Sequence, residues 1–147
     1  MSSARELRLY HKLQIAAHRL QTAADRVVQE AAGTTTAQSA VLALVARTKG
    51  GTTQRAVATQ LGVNESAVTA MAARLIGLGL LERRRDPDDA RAWKLTLTRN
   101  GETAVKRIAR PFGAINARIE KGRSASELAL LADMLEQLAT EFGGYAD

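Results

Sequence analysis

The sequence contains no cysteine, only two prolines and very few rings, with aromatic residues at 3% of its 147 positions. Without cysteine there is no disulfide scaffold, thiolate zinc site, cysteine nucleophile or thiol-based redox sensor. So few rings argue against single-strand nucleic-acid modules, which stack bases on several exposed aromatics. Long hydrophobic runs are missing too. The longest apolar stretch, Ala40–Ala46, is far too short to cross a bilayer. The N-terminus is charged by Arg5, so no targeting segment is read there. These absences predict a soluble, cytoplasmic protein without a membrane partner.

What is present is aliphatic and basic. Apolar residues make up 46% of the chain, so leucine, alanine, valine and isoleucine must fill the core of what its length predicts to be a single domain, 1–147. The net charge is +6 and unevenly spread: residues 47–99 carry ten Lys/Arg against five Asp/Glu, whereas 1–46 carry five against three and 100–147 six against seven. A basic middle third favours a polyanionic partner, nucleic acid before an anionic surface, against the plainer reading of a solubilising face.

Periodicity predicts helices over Ser3–Ala32, Ala37–Arg47, from Thr52 or Thr53 to Leu61, from Asn64 to Leu78, from Thr98 to Lys121, and from a capping box at Ser124 onward. Pro111 is expected to kink the fifth. The first helix falls into three sectors: an apolar stripe including Leu9, Leu13 and Leu20, a basic face of Arg5, Arg8, Lys12, Arg19 and Arg26, and a neutral polar row of His11, Gln14, His18 and Gln21. In the last helix Leu128, Leu131, Leu135, Leu138 and Phe142 share an arc of about 80° at 100° per residue. Neither leucine stripe has enough partner surface within one chain, so both are read as a subunit interface. Leu80–Arg85 and Ala92–Leu97 read as strands joined by a turn of Pro87 and aspartates. Trp93, sharing a strand face with Leu95 and Leu97, is expected in the core.

The informative stretch is Gln54–Met71. Val57, Ala58, Leu61, Gly62, Val63, Val68 and Met71 have helix-turn-helix spacing. Ala58 permits a close crossing, Gly62 supplies a positive-φ turn, and Val63, Val68 and Met71 bury the second helix. The N-terminal half of that helix is then free to enter a major groove. A basic hairpin follows, with Arg83, Arg84 and Arg85 leading to a turn that ends at Arg91. A hairpin after a helix-turn-helix is a winged helix, and an arginine at its tip can enter a minor groove.

Across nearly its whole length the chain resembles the MarR family of transcriptional regulators. The matching pieces are Thr35-x-x-Gln38, the helix-turn-helix, Arg74-Leu75…Gly79-Leu80-Leu81…Arg83-Arg84, Asp86-Pro87-x-Asp89-x-Arg91, and Leu97-Thr98-x-x-Gly101. The resemblance implies a mainly α fold with a small β-hairpin wing: a winged helix-turn-helix lobe over residues 34–98, with 1–33 and 99–147 forming a helical dimerisation region. It implies a homodimer gripping a pseudo-palindromic operator on double-stranded DNA, a repressor released by a small aromatic, anionic effector, and no cofactor. On this reading the DNA-binding residues are Thr53, Gln54, Ser66, Ala67, Thr69, Ala70, Arg74, Arg85 and Arg91, with Asp89 orienting Arg91. The missing cysteine removes the peroxide-sensing branch.

The chain departs from the family at the middle of the recognition helix, where Ala70 replaces the usual basic residue and Ala73 follows. Such a face offers methyl groups for thymine rather than bidentate hydrogen bonds, which shifts the expected readout toward DNA shape and the wing. His11, Gln14 and His18 have two readings: a polar wall for a carboxylate-bearing ligand, or a hydrogen-bonded face at the dimer interface. A metal fits poorly, because histidines seven residues apart stand about 10 Å apart along a helix. No enzyme motif survives: Asp86, Asp88 and Asp89 lack the glycine and terminal glutamate of a calcium loop, and Gly77-Leu78-Gly79 lies at a helix end entering a strand, the reverse of a dinucleotide fold. Two competing classes stay open, a winged-helix protein-interaction module and a DNA binder with no ligand response.

Overall fold

The computed structural model describes residues 3–143, and side chains from residue 8 onward; the Arg5 side chain lies outside the described residues. The described chain runs α1 (Ser3–Ala32), α2 (Thr36–Arg47), α3 (Gln54–Leu61), α4 (Glu65–Gly77), β1 (Leu81–Arg85), β2 (Trp93–Leu97), α5 (Arg99–Glu120) and α6 (Ala125–Phe142). Hydroxyl and amide side chains start the helices where the sequence places them. Thr53, Asn64 and Thr98 each accept a hydrogen bond from the backbone of α3, α4 and α5, and Thr35 and Ser124 close full capping boxes on α2 and α6. Each cap satisfies a backbone donor that the helix leaves unpaired, worth about 1 kcal/mol. α5 continues through Pro111.

The core sits where α2, α3, α4 and the root of the hairpin converge, closed from outside by α1 and α5. Leu42, Leu75, Leu81 and Leu95 are fully buried there with Val28, Val41, Val57 and Val68. The two strands pair antiparallel from Leu81↔Leu97 to Arg85↔Trp93. A feature the sequence did not reveal ties the hairpin to the lobe. Thr52 exchanges both backbone hydrogen bonds with Leu95, at 3.0 and 2.7 Å, so the α2–α3 loop forms a bridge along β2. Gly51 makes this approach possible, because a Cβ there would stand 2.6 Å from the Leu95 carbonyl oxygen.

Two expectations need correction. Trp93 is not in the core but 51% exposed. Its strand face is apolar only at the hairpin root, around Leu95 and Leu97; by the last rung the hairpin has run past the core into solvent. Val63, expected to bury α4 against α3, is 41% exposed. The Gly62 turn (φ +65°) brings Val63 only as far as a backbone bond to Ala58, leaving the buried Val68 and the half-buried Met71 to make the packing.

A polar lock joins α1 to the lobe. The half-buried Asp25 carboxylate accepts hydrogen bonds from the Thr36 backbone N–H (2.7 Å) and hydroxyl (2.6 Å), and Gln21 donates to both residues. It therefore acts as a second cap on α2, supplied from another helix. Bonding to the Thr36 hydroxyl first, then to the Thr36 N–H, holds its pKa below the ordinary value despite some desolvation. Since the folded state binds its proton less readily than the unfolded chain, its stabilisation is complete above the usual carboxylate range and lost as pH falls through the lowered value. Asp25→Asn is expected to cost about 1 kcal/mol near neutral pH, the usual worth of a cap, and to flatten the acid limb of the stability profile. Parallel urea-stability profiles for the two proteins across that limb would refute the assignment.

Candidate nucleic-acid interface

α3 and α4 cross at the Gly62 turn, and β1 and β2 rise beside them. Between the helix pair and the hairpin lies a groove of about 830 Å³, lined by the α3 cap Thr53, Gln54 and Arg55 of α3, Glu65 and Thr69 of α4, and Arg83, Trp93 and Lys94 of the hairpin. Thr53 and Gln54, read as binding residues from the sequence, thus share one cleft with Thr69. Thr53 spends its hydroxyl oxygen capping α3, accepting from Ala56 N–H at 3.1 Å. The Thr69 hydroxyl lies within reach of the Glu65 carbonyl (2.9 Å) and of Gln54 Oε1 (3.3 Å), linking the two helices at the groove floor.

The outward face of α4 is as the spacing predicts. Ser66, Thr69, Ala70, Ala73 and Arg74 are exposed and Ala67 is half-buried. Asn64 organises the start of this face, its Oδ1 accepting from Ala67 N–H (2.9 Å) and Ser66 hydroxyl (2.8 Å). Ser66 and Thr69 therefore enter any partner's groove with their hydroxyls already engaged, and Ala70 and Ala73 offer only methyls. Arg74, in the last turn of α4, is exposed and makes no ion pair among the described residues.

At the wing, Asp89 orients Arg91 through the main chain: its Oδ1 accepts from the Arg91 backbone N–H at 3.0 Å. The ion pairs among the described residues are Arg84–Glu82 (2.6 Å) and Lys94–Asp86 (3.3 Å), so the Arg91 guanidinium is exposed and uncommitted. Asp86 pins the turn by accepting from Asp88 N–H (2.9 Å); that bond first, and Lys94 after it, lower its pKa. Arg85 is held twice, donating to the Ala90 carbonyl (2.7 Å) and lying 4.9 Å over the Trp93 ring. Of the three consecutive arginines, then, Arg84 is neutralised within the hairpin, Arg83 turns into the groove, and Arg85 is fixed near the tip.

The remaining residues singled out in the sequence lie away from this groove. His11, Gln14 and His18 are exposed, and the cavities that α1 shares with α5 and α6 are lined by other residues. Gln14 donates to the Tyr10 hydroxyl at 2.7 Å, and the His11 ring is tilted against Tyr10 at 5.8 Å. The leucine stripes of α1 and α6 face each other across a separate cavity of about 650 Å³, lined by Leu13, Leu20, Leu131 and Leu135 with Ile115 and Ile119 of α5. Leu9, Leu13, Leu20, Leu135 and Phe142 are exposed; Leu128, Leu131 and Leu138 are half-buried; no residue of α6 is fully buried.

The fold recurs in solved structures. The PcaV transcriptional regulator from Streptomyces coelicolor, crystallised with its natural ligand, is 30% identical over 90% of this chain and 89% of its own, with a TM-score of 0.74. The family model for the MarR family matches residues 32–92, which hold α2 through the hairpin turn. The chain belongs to the MarR family. Two further structures share the fold: CouR from Rhodococcus jostii RHA1, bound to p-coumaroyl-CoA (21% identity, 95% of each chain, TM-score 0.79), and a MarR-family regulator from Rhodococcus sp. RHA1 (21%, 91% and 95%, TM-score 0.78). No curated protein matches the sequence. MarR-family proteins are transcriptional regulators and not enzymes, and this chain is mainly helical with a two-stranded wing as the family requires. Among the described residues no helix is long and apolar enough to cross a membrane.

Proposed function

We propose that this MarR-family chain is a homodimeric repressor that binds a pseudo-palindromic operator on double-stranded DNA and is released by a small aromatic, anionic ligand. The observation that carries the DNA reading is the shared groove: the start of α3, Glu65 and Thr69 of α4 and Arg83, Trp93 and Lys94 of the hairpin line one cleft, beside the exposed face of α4 and a wing tip whose Arg91 is uncommitted. Residues 34–98 form the reading lobe. Thr53, Gln54, Ser66, Ala67, Thr69, Ala70, Arg74, Arg85 and Arg91 meet DNA, phosphate contacts setting the register and methyl and wing contacts adding specificity. Residues 1–33 and 99–147 join the subunits through the Leu9, Leu13 and Leu20 stripe and the Leu128, Leu131, Leu135, Leu138 and Phe142 stripe, both left largely uncovered in the single chain. The bound ligand of the 30%-identical Streptomyces regulator supports an effector for this protein. His11, Gln14 and His18, exposed on α1, are then the groups that meet its carboxylate.

Selection against a randomised duplex library, followed by titration over salt, tests this. A pseudo-palindromic motif with half-sites about one helical turn apart, and a log–log salt slope of several units, are expected. No enriched motif and only weak, fully salt-suppressed binding would sink the reading in favour of a protein partner. Arg91→Ala is expected to weaken operator binding about tenfold and to reduce the salt slope by roughly two, since one cationic contact is lost from each half of the dimer, with the dimer intact in sedimentation. An unchanged dissociation constant would remove Arg91 from the interface.

A further inference from the structure

We propose that Trp93 is a DNA-contact residue whose indole packs against the sugar–phosphate strand in the wing groove, with Arg85 held on its face as a preformed unit. The inference rests on the DNA-binding reading and adds a determinant that spacing alone placed in the core. Trp93 is the chain's single tryptophan, and it is 51% exposed. Leaving half of so large an apolar ring in water forgoes burial energy that the Arg85 guanidinium on its face offsets only in part. Yet its position is fixed. It is the cross-strand partner of Arg85 on the outermost rung of the hairpin, and the guanidinium lies 4.9 Å from its ring while also donating to Ala90.

The surroundings fit one chemistry. The indole lines the same groove as Arg55, Arg83 and Lys94, facing the first turns of α3 and α4, with Glu65 the one acidic group in the lining. An indole N–H only donates, which suits a phosphate oxygen, and its ring presents an apolar face suited to a deoxyribose. Because the wing pair is ordered before binding, engaging it forfeits little side-chain freedom, so the contact contributes more than an equally large flexible one.

As the only tryptophan, Trp93 reports on itself. Its emission and acrylamide quenching are followed while mixed-sequence duplex DNA is added at low salt, where sequence-independent binding is strongest, and binding is measured in parallel by the anisotropy of labelled duplex. Quenching is expected to fall severalfold as the anisotropy saturates. Trp93→Ala should weaken binding about tenfold with a nearly unchanged salt slope, since no cationic charge leaves the interface. Trp93→Phe should recover most of that loss, because the ring face remains. Quenching that stays constant while the anisotropy saturates, or a Trp93→Ala protein that binds as wild type, would overturn the role of Trp93 and leave DNA binding standing. Flat anisotropy throughout would instead refute the DNA reading and this proposal with it.

Discussion

Gly101→Ala is expected to cost about 3 kcal/mol of stability, although alanine is ordinarily the better helix former, because overpacking against unyielding backbone costs in that range. Gly101 lies in the first turn of α5, where Thr98 caps it by accepting from its N–H at 3.0 Å. A Cβ there would sit 2.0 Å from the Leu80 carbonyl oxygen and 3.1 Å from Leu97 Cδ2. That carbonyl cannot simply move, because it accepts from Thr98 N–H at 3.1 Å and so holds the entry of β1 against the exit of β2. The reason for glycine here is space and not φ, which is not positive at this position. The same helix supplies the control. Gly113 has nothing within 4 Å of a built Cβ, so Gly113→Ala should stabilise by roughly 0.5–1 kcal/mol. Urea melts of the two variants should therefore shift in opposite directions; a Gly101→Ala midpoint equal to wild type would show that the hairpin root is not rigid.

The second large effect concerns assembly. Leu131→Asp combined with Leu135→Asp should convert a dimer into monomers and abolish tight operator binding, while leaving the helical content of each chain in place. Both leucines line the cavity shared by α1, α5 and α6, and α6 contributes no fully buried residue to the core of its own chain. The substitutions therefore leave Leu42, Leu75 and Leu95 untouched. In an assembled dimer they would place unpaired carboxylates in apolar surface, at a cost of several kcal/mol each. Sedimentation gives the decisive reading, with circular dichroism as the check on folding. A double variant that still sediments as a dimer would move the subunit interface elsewhere.

Much of the architecture was legible because local chemistry wrote it. Thr35 with Gln38, Thr53, Asn64, Thr98 and Ser124 with Glu127 each begin a helix through a bond between near neighbours. The Gly62 turn and the exposed face of α4 follow from residues within one helix-turn-helix. The free wing arginine was also foreseen, and Asp89 does orient it, but through the Arg91 backbone and not through its charge. What escaped the sequence involves partners far apart in the chain. Asp25 meets Thr36 across the α1–α2 corner, and Thr52 pairs with Leu95 across α3, α4 and the hairpin.

Trp93 marks the boundary between the two kinds of information. Alternation correctly put it on the same strand face as Leu95 and Leu97, and its pairing with Arg85 could have been read from the hairpin register. How far along the hairpin the core extends could not, because that depends on where α2 and α5 end their contact with the sheet. The helices, the turn, the wing and the family are written locally in the chain, since capping, periodicity and glycine placement act over a few residues. Which of these faces stay open to a partner was settled by long-range packing, because burial is a property of the packed chain and no local pattern specifies it.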